Sequence, residues 1–118
     1  VYHLHGNGGS EKHWQDPFYY PEQIRAYWSQ TNAPLPIVVS FSFGSTWLLV
    51  EKNSLPTSGL LEVVVEKIIP LVEAQLGGLK GRRLLIGESM GGFNTAQLSL
   101  KTNLFAKAAI LCAPMSPV

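Results

Sequence analysis

The chain has 118 residues, of which 46% are hydrophobic and 14% are charged, and its formal net charge is +1. This composition is typical of one globular domain and excludes disorder as the default state. The nine Lys and Arg residues form no basic stripe, so no nucleic-acid partner is expected. No apolar run reaches the roughly 18 residues of a membrane-spanning helix, so no membrane span is expected.

Short apolar runs alternate along the chain with stretches of helical spacing. The β-rich apolar runs predict strands at 1–4, 36–43, 83–86 and 107–112. Helices are predicted at 21–30, 60–76 and 92–101. Pro70 should kink or split the second helix, because proline has no backbone N–H to donate. The last strand is predicted to be buried, and Cys112, the sole cysteine, is expected to be a small core residue.

Uninterrupted apolar strands separated by helices predict a parallel sheet that is covered on both faces. We therefore expect an α/β fold of three layers, α/β/α, with a mostly parallel sheet in a single partial domain, 1–118. Because Val1 already lies within a strand pattern, we expect this domain to be truncated at both ends. Truncation would leave open sheet edges, through which the isolated chain is expected to self-associate. Ligands of such sheets bind beyond the carboxyl ends of the strands.

The segment that joins the third strand to the third helix reads Gly-Glu-Ser-Met-Gly-Gly at 87–92. It matches the Gly-x-Ser-x-Gly nucleophile elbow, in which a sharp strand-to-helix turn exposes a serine hydroxyl above the sheet. Ser89 is therefore predicted to be a catalytic nucleophile. A glycine-rich turn that binds phosphate is the alternative interpretation. The dinucleotide fingerprint Gly-x-Gly-x-x-Gly is absent.

A glycine-rich loop follows the first strand directly and reads His-Gly-Asn-Gly-Gly at 5–9. Acyl transfer needs two N–H donors at the tetrahedral oxygen, one from the residue after the nucleophile and one from such a loop. The predicted oxyanion hole therefore consists of the backbone N–H groups of Met90 and Asn7, with Gly6 as the next choice. Taken alone, the loop is also compatible with a merely flexible connection.

The two motifs, with a helix carrying Ile69-Pro70 between them, resemble the α/β-hydrolase superfamily. Within it the chain most resembles the esterase D-like branch, which includes S-formylglutathione hydrolases, feruloyl esterases and mycolyltransferases. The resemblance covers nearly the whole chain, from the third strand of that fold to just past the sixth. It implies that the four strands lie in the spatial order second, first, third, fourth, and that His5 has a structural role in orienting the oxyanion loop.

The sequence departs from the family in its catalytic triad, which runs Ser, then Asp or Glu, then His along the chain. Downstream of Ser89 there is no Asp, Glu or His, and the only Asp is Asp16. His3 is expected within the first strand, and His13 is a weaker candidate for the base than residues outside this sequence. Since a serine hydroxyl without a base is a poor nucleophile, the 118-residue chain alone is expected to be almost inactive.

Aromatic residues near the carboxyl edge are candidates for a substrate pocket. Phe43 and Trp47 follow the second strand, and core packing beneath the loop is the alternative for these two. Trp14 follows the oxyanion loop and is expected to border the site. The predicted function is hydrolysis of a small-molecule ester or thioester through an acyl-enzyme, with no metal or organic cofactor. Acyl transfer on the same residues and a non-catalytic binding module of this fold are the alternatives.

Overall fold

The structure, a computed structural model, describes residues 1–47 and 59–114. Its four strands, paired in parallel in the order β2-β1-β3-β4, are β1 (Tyr2–Leu4), β2 (Val39–Phe41), β3 (Leu84–Glu88) and β4 (Lys107–Leu111). The α-helices are α1 (Pro21–Ser29), α2 (Leu60–Val63), α3 (Ile69–Leu76) and α4 (Met90–Lys101). Short 3₁₀ helices lie at Glu11–Gln15 and Lys80–Arg82. The α/β class and the strand order implied by the family resemblance are confirmed.

Alternate side chains of β1 point to opposite faces of the sheet, as the two-residue period of a strand requires. Tyr2 and Leu4 pack on one face, in a core whose other buried members are Val64, Ile69, Leu85 and Leu98. His3 points to the other face, where its ring lies 5.1 Å from that of Trp14 and 6.1 Å from that of Tyr20. The sheet is therefore covered on both sides, which confirms the predicted three layers.

Pro70 divides the helix that the sequence predicts at 60–76. A π-helical turn, Val64–Ile68, separates α2 from α3, and the Ile69 N–H donates to the Val64 carbonyl oxygen five residues earlier. Proline cannot donate to the carbonyl four residues before it, so the regular ladder is interrupted at this point. The wider turn is how this chain absorbs the interruption, and it confirms the expected kink or split.

Several element boundaries differ from the predicted ones, and those of β2, β3 and α4 differ by two residues or more. Strand β3 continues to Glu88, two residues past its predicted end. Strand β2 covers only Val39–Phe41 of the predicted 36–43, because its partner β1 offers only three residues for pairing. Helix α4 begins at Met90, two residues before the predicted start. None of the helices within the described ranges 1–47 and 59–114 has the length and apolar character needed to cross a bilayer.

The prediction that β4 is buried is wrong. All five residues of Lys107–Leu111 are exposed, and Cys112 is exposed rather than part of the core. The reason is the position of β4 at the end of the sheet, where it pairs with β3 and forms one outer edge of the described sheet. A hydrophobic run alone does not distinguish an edge strand from an interior one. Self-association through such an edge stays a prediction.

Burial of His3 predicts a protein that loses stability in mild acid. The side chain is fully buried, with Nδ1 2.8 Å from the Ser40 hydroxyl oxygen. Burial, and then the neighbouring His5 and His13, lowers the pKa of His3 to about 4. The unfolded chain takes up this proton at a higher pH. The contribution of His3 to the free energy of unfolding is therefore fully present above about pH 6.5 and is lost as the pH falls towards 4. The loss should be on the order of 3 kcal/mol.

Urea denaturation at about pH 7 and about pH 4 measures this loss. A His3→Gln variant cannot take up the proton and should show a clearly smaller difference between the two pH values. If the native protein and the variant lose equal stability, His3 is not the group responsible.

Candidate active site

Ser89 occupies the tight turn between β3 and α4. Its backbone angles are φ 50° and ψ −119°, a positive φ that residues with a side chain rarely adopt. Its N–H donates to the Leu111 carbonyl oxygen at 2.9 Å, and its own carbonyl accepts from the Phe93 N–H at 2.9 Å. The residue is exposed. The turn therefore presents the Ser89 side chain at the carboxyl edge of the sheet.

Two glycines allow α4 to start so close to the sheet. A Cβ placed on Gly87 would overlap the Gly91 carbonyl group, and one placed on Gly91 would overlap the carbonyl oxygens of Leu4 and His5. The first turn of α4 consequently rests on the ends of β3 and β1 at once. The N–H groups of Met90, Gly91 and Gly92 have no acceptor within the helix, because they belong to its first turn.

The glycine-rich loop after β1 lies directly beside this turn. A Cβ built on Gly6 would be 3.5 Å from the Cβ of Ser89 and 3.3 Å from Oε1 of Glu88. The loop closes on itself, because the Gly9 N–H donates to the Gly6 carbonyl oxygen at 3.0 Å. The structure thus brings together Gly6, Ser89 and, as the next residue after Ser89, the fully buried Met90. Asn7 is exposed at the tip of the loop.

His5 anchors the loop from below. The fully buried ring places Nδ1 2.7 Å from the Gly6 carbonyl oxygen and accepts the Phe43 N–H on Nε2 at 3.2 Å. This pattern requires the proton on Nδ1, which then donates to Gly6. The ring also stacks on Phe43, with centroids 4.1 Å apart. Because C=O and N–H point in opposite directions in a trans peptide, fixing the Gly6 carbonyl also fixes the direction of the Asn7 N–H.

The three aromatic residues that the sequence offers for a substrate pocket lie in different places. Phe43 packs on His5, and Trp47 contacts the ring of Phe93 in α4 edge-on, at 4.8 Å. Asn94, the next residue of α4, donates to the Thr46 carbonyl oxygen at 3.2 Å and so ties the segment before Trp47 to the helix. Trp14 is buried on the α1 side of the sheet, with its ring 5.9 Å from that of Trp28.

Two cavities lie away from Ser89. One of about 390 Å³ opens at the amino ends of the strands, beside the Glu73–Arg83 ion pair. Another of about 280 Å³ lies on the sheet face between α1 and β4 and includes Trp14 and Trp28 in its lining. Trp14 therefore lines this second cavity and not the space around Ser89.

The fold of this protein is similar to that of a known esterase. Its structure is similar to that of a ferulic acid esterase, with a TM-score of 0.74 and 20% sequence identity. The match covers 98% of this chain and 46% of the esterase, so the chain spans about half the length of that protein. No protein-family model matches the sequence, and no curated protein matches it. At this level of identity the likeness shows the α/β fold.

Two residues beside the elbow were not singled out from the sequence. The Tyr19 hydroxyl donates a hydrogen bond to Oε1 of Glu88, the residue before Ser89. This bond, and then burial, raises the pKa of Tyr19 to about 12. The ring of His13 lies 4.6 Å from that of Tyr19. The charge of Glu88 within the elbow is a signal that the sequence offers for a role of this residue. Nothing in the sequence connects Tyr19 to Glu88.

Asp16, the one Asp of the sequence, has a local structural role. Asp16 ends the first 3₁₀ helix, and its Oδ1 accepts the Phe18 N–H at 2.9 Å, so it stabilises a turn. Within residues 1–47 and 59–114, no three His, Cys, Asp or Glu side chains are grouped so that they could hold a metal ion.

Proposed function

We propose that this chain carries the nucleophile and the oxyanion hole of a serine carboxylic-ester hydrolase related to the esterase D-like branch. The observation that carries the proposal is the exposed Ser89 at positive φ with Gly6 of the glycine loop beside its Cβ. Strained backbone of this kind costs about 1–3 kcal/mol and persists where function requires it. A glycine-rich turn that serves packing alone gives no reason to keep a serine at its apex.

In the proposed reaction, Ser89 Oγ attacks the acyl carbon of an ester or thioester. The Oγ–carbon bond forms as the hydroxyl proton passes to a general base. The negative charge on the carbonyl oxygen is held by the N–H groups of Met90 and Asn7, and Gly6 is the other candidate donor. The bond to the leaving group then breaks and the leaving group takes the proton, which leaves an acyl-enzyme for water to hydrolyse.

The base and its carboxylate partner are proposed to come from residues outside this sequence, since no Asp, Glu or His follows Ser89. His5 is not available for this role, because both of its ring nitrogens are engaged in holding the loop. Phe43 and Trp47 are proposed to border the acyl group, and an aromatic acid would suit such a surface. The name of the structurally similar ferulic acid esterase points to the same class of acyl group.

A fluorophosphonate probe tests the proposal on the polypeptide in the form its gene encodes. Such a probe phosphonylates an activated serine and leaves other serines unmodified. Mass spectrometry of the digested product should place the adduct on the peptide that contains Ser89. An adduct on a different serine, or a folded protein that takes up no probe at all, would favour a non-catalytic module with this fold.

A further inference from the structure

We propose that Tyr19 is a positioning residue of this site, which holds the glycine loop against Ser89 through Glu88 and His13. We name the three residues the Tyr19 clasp. The inference rests on the proposed function, because it assigns a role in presenting the oxyanion donors to the nucleophile. It adds a contact between two distant segments that neither motif contains.

The first link of the clasp joins the segment before α1 to the elbow. The Tyr19 hydroxyl donates to the Glu88 carboxylate, and these residues are 69 positions apart in the chain. A hydrogen bond to a carboxylate is roughly twice as strong as one between neutral groups. The raised pKa of Tyr19 has this bond as its largest cause. The bond therefore fixes the segment around Tyr19 directly beside Ser89.

The second link runs from Tyr19 to the far end of the glycine loop. Its ring faces that of His13 at 4.6 Å. A Cβ placed on Gly9 would lie 2.6 Å from Nδ1 of His13, so the imidazole fills the space directly beside Gly9. When Tyr19 is held by Glu88, His13 in turn closes off the space into which Gly9 would otherwise move.

The third link joins the beginning of the glycine loop, at Gly6, to the elbow. A Cβ placed on Gly6 would have both Oε1 of Glu88 and Cβ of Ser89 within 3.5 Å. Gly6 therefore lies directly beside the elbow, and Gly9 lies directly beside His13. The Gly9 N–H bond to the Gly6 carbonyl oxygen joins the two ends of the turn. Asn7, the proposed donor, lies between these two supported points.

The decisive experiment measures the rate at which a fluorophosphonate phosphonylates Ser89. It compares single and double variants of the full polypeptide that the gene encodes. Tyr19→Phe keeps the ring and removes the hydroxyl, and should lower the maximal rate roughly tenfold with unchanged probe affinity. Glu88→Ala should cause a similar loss. The double variant Tyr19→Phe/Glu88→Ala should be no slower than the slower single variant, because both changes remove one bond.

Two further variants separate the clasp from other effects. Glu88→Gln keeps an oxygen that accepts the Tyr19 hydroxyl in a weaker, neutral bond, so it should recover part of the rate lost in Glu88→Ala. If the Gln and Ala variants were equally slow, the hydrogen bond from Tyr19 would not account for the loss, and that result would overturn the proposal. Tyr27→Phe is the matched control, since Tyr27 is an exposed tyrosine of α1 and should label at the native rate.

Hydrogen exchange gives a readout that does not depend on catalysis. In Tyr19→Phe the Gly9 amide, which is hydrogen-bonded to the Gly6 carbonyl oxygen, should exchange roughly tenfold faster, while the amides of β3 stay protected. Unchanged exchange at Gly9, or multiplied losses in the double variant, would overturn the clasp. Labelling that persists in a Ser89→Ala variant would instead refute the proposed function, so the two failures are distinguishable.

Discussion

Replacing Ser89 by alanine is expected to abolish ester hydrolysis, with a loss on the order of 10⁶-fold in kcat, the size seen when a serine hydrolase loses its nucleophile. The side chain is exposed at the apex of the turn, and the proposed mechanism has no other group to form the acyl-enzyme. Alanine tolerates the backbone at φ 50° no better and no worse than serine, so the fold should be retained. Release of nitrophenol from an aryl ester by the gene-encoded polypeptide measures the effect.

Ser99→Ala is the matched control for this experiment. Ser99 lies in α4, ten residues further along the chain, and its replacement should leave turnover unchanged. Hydrolysis that continues in Ser89→Ala, at a rate above that of the uncatalysed reaction with the same ester, would remove this serine from the chemistry. Equal losses in both serine variants would point to damaged folding of α4 instead.

Replacing Gly91 by alanine is expected to destabilise the protein by about 3 kcal/mol or more, a large part of the 5–15 kcal/mol that such domains typically possess. The added methyl group would overlap the carbonyl oxygens of Leu4 and His5, which are backbone atoms at the end of β1 and cannot rotate away. Relief requires α4 to move off the sheet. The midpoint of urea denaturation should therefore fall clearly.

Gly81→Ala provides the comparison, because a Cβ on Gly81 meets nothing within 4 Å. Its effect should stay within about 0.5 kcal/mol. A Gly91→Ala protein as stable as Gly81→Ala would mean that the helix does not rest on β1 as described. Because the same contact seats the elbow beside the glycine loop, the unfolding result also bears on the geometry of the candidate site.

The sequence predicts the fold well where the covalent structure of a single residue determines the local backbone. Pro70 lacks an N–H, and the helix around it is interrupted at that place. The strands follow from their apolar runs, yet the exposure of β4 does not, because its composition is that of an interior strand while its position is at the edge. Pairing also limits β2 to the three residues that β1 can match. Neighbours, rather than local pattern, decide these features.

For the candidate site, the motifs indicate both participating loops, and the structure places Gly6 next to Ser89. What the sequence could not supply is the set of contacts made across long separations. Tyr19 meets Glu88 across 69 positions, and the His5 ring meets the Phe43 N–H across 38. Each depends on how two loops are aimed by separate strands. A sequence pattern does not contain the relative orientation of two loops that follow different strands.

The positive φ of Ser89 has a consequence for the choice of amino acid at this position. Of the twenty residues, glycine alone adopts such a conformation freely, so thermodynamics favours glycine at position 89. A serine there means that the chain forgoes a little of its folding free energy at one position. Random substitution selected only for a more stable fold would therefore tend to replace this serine and remove its hydroxyl.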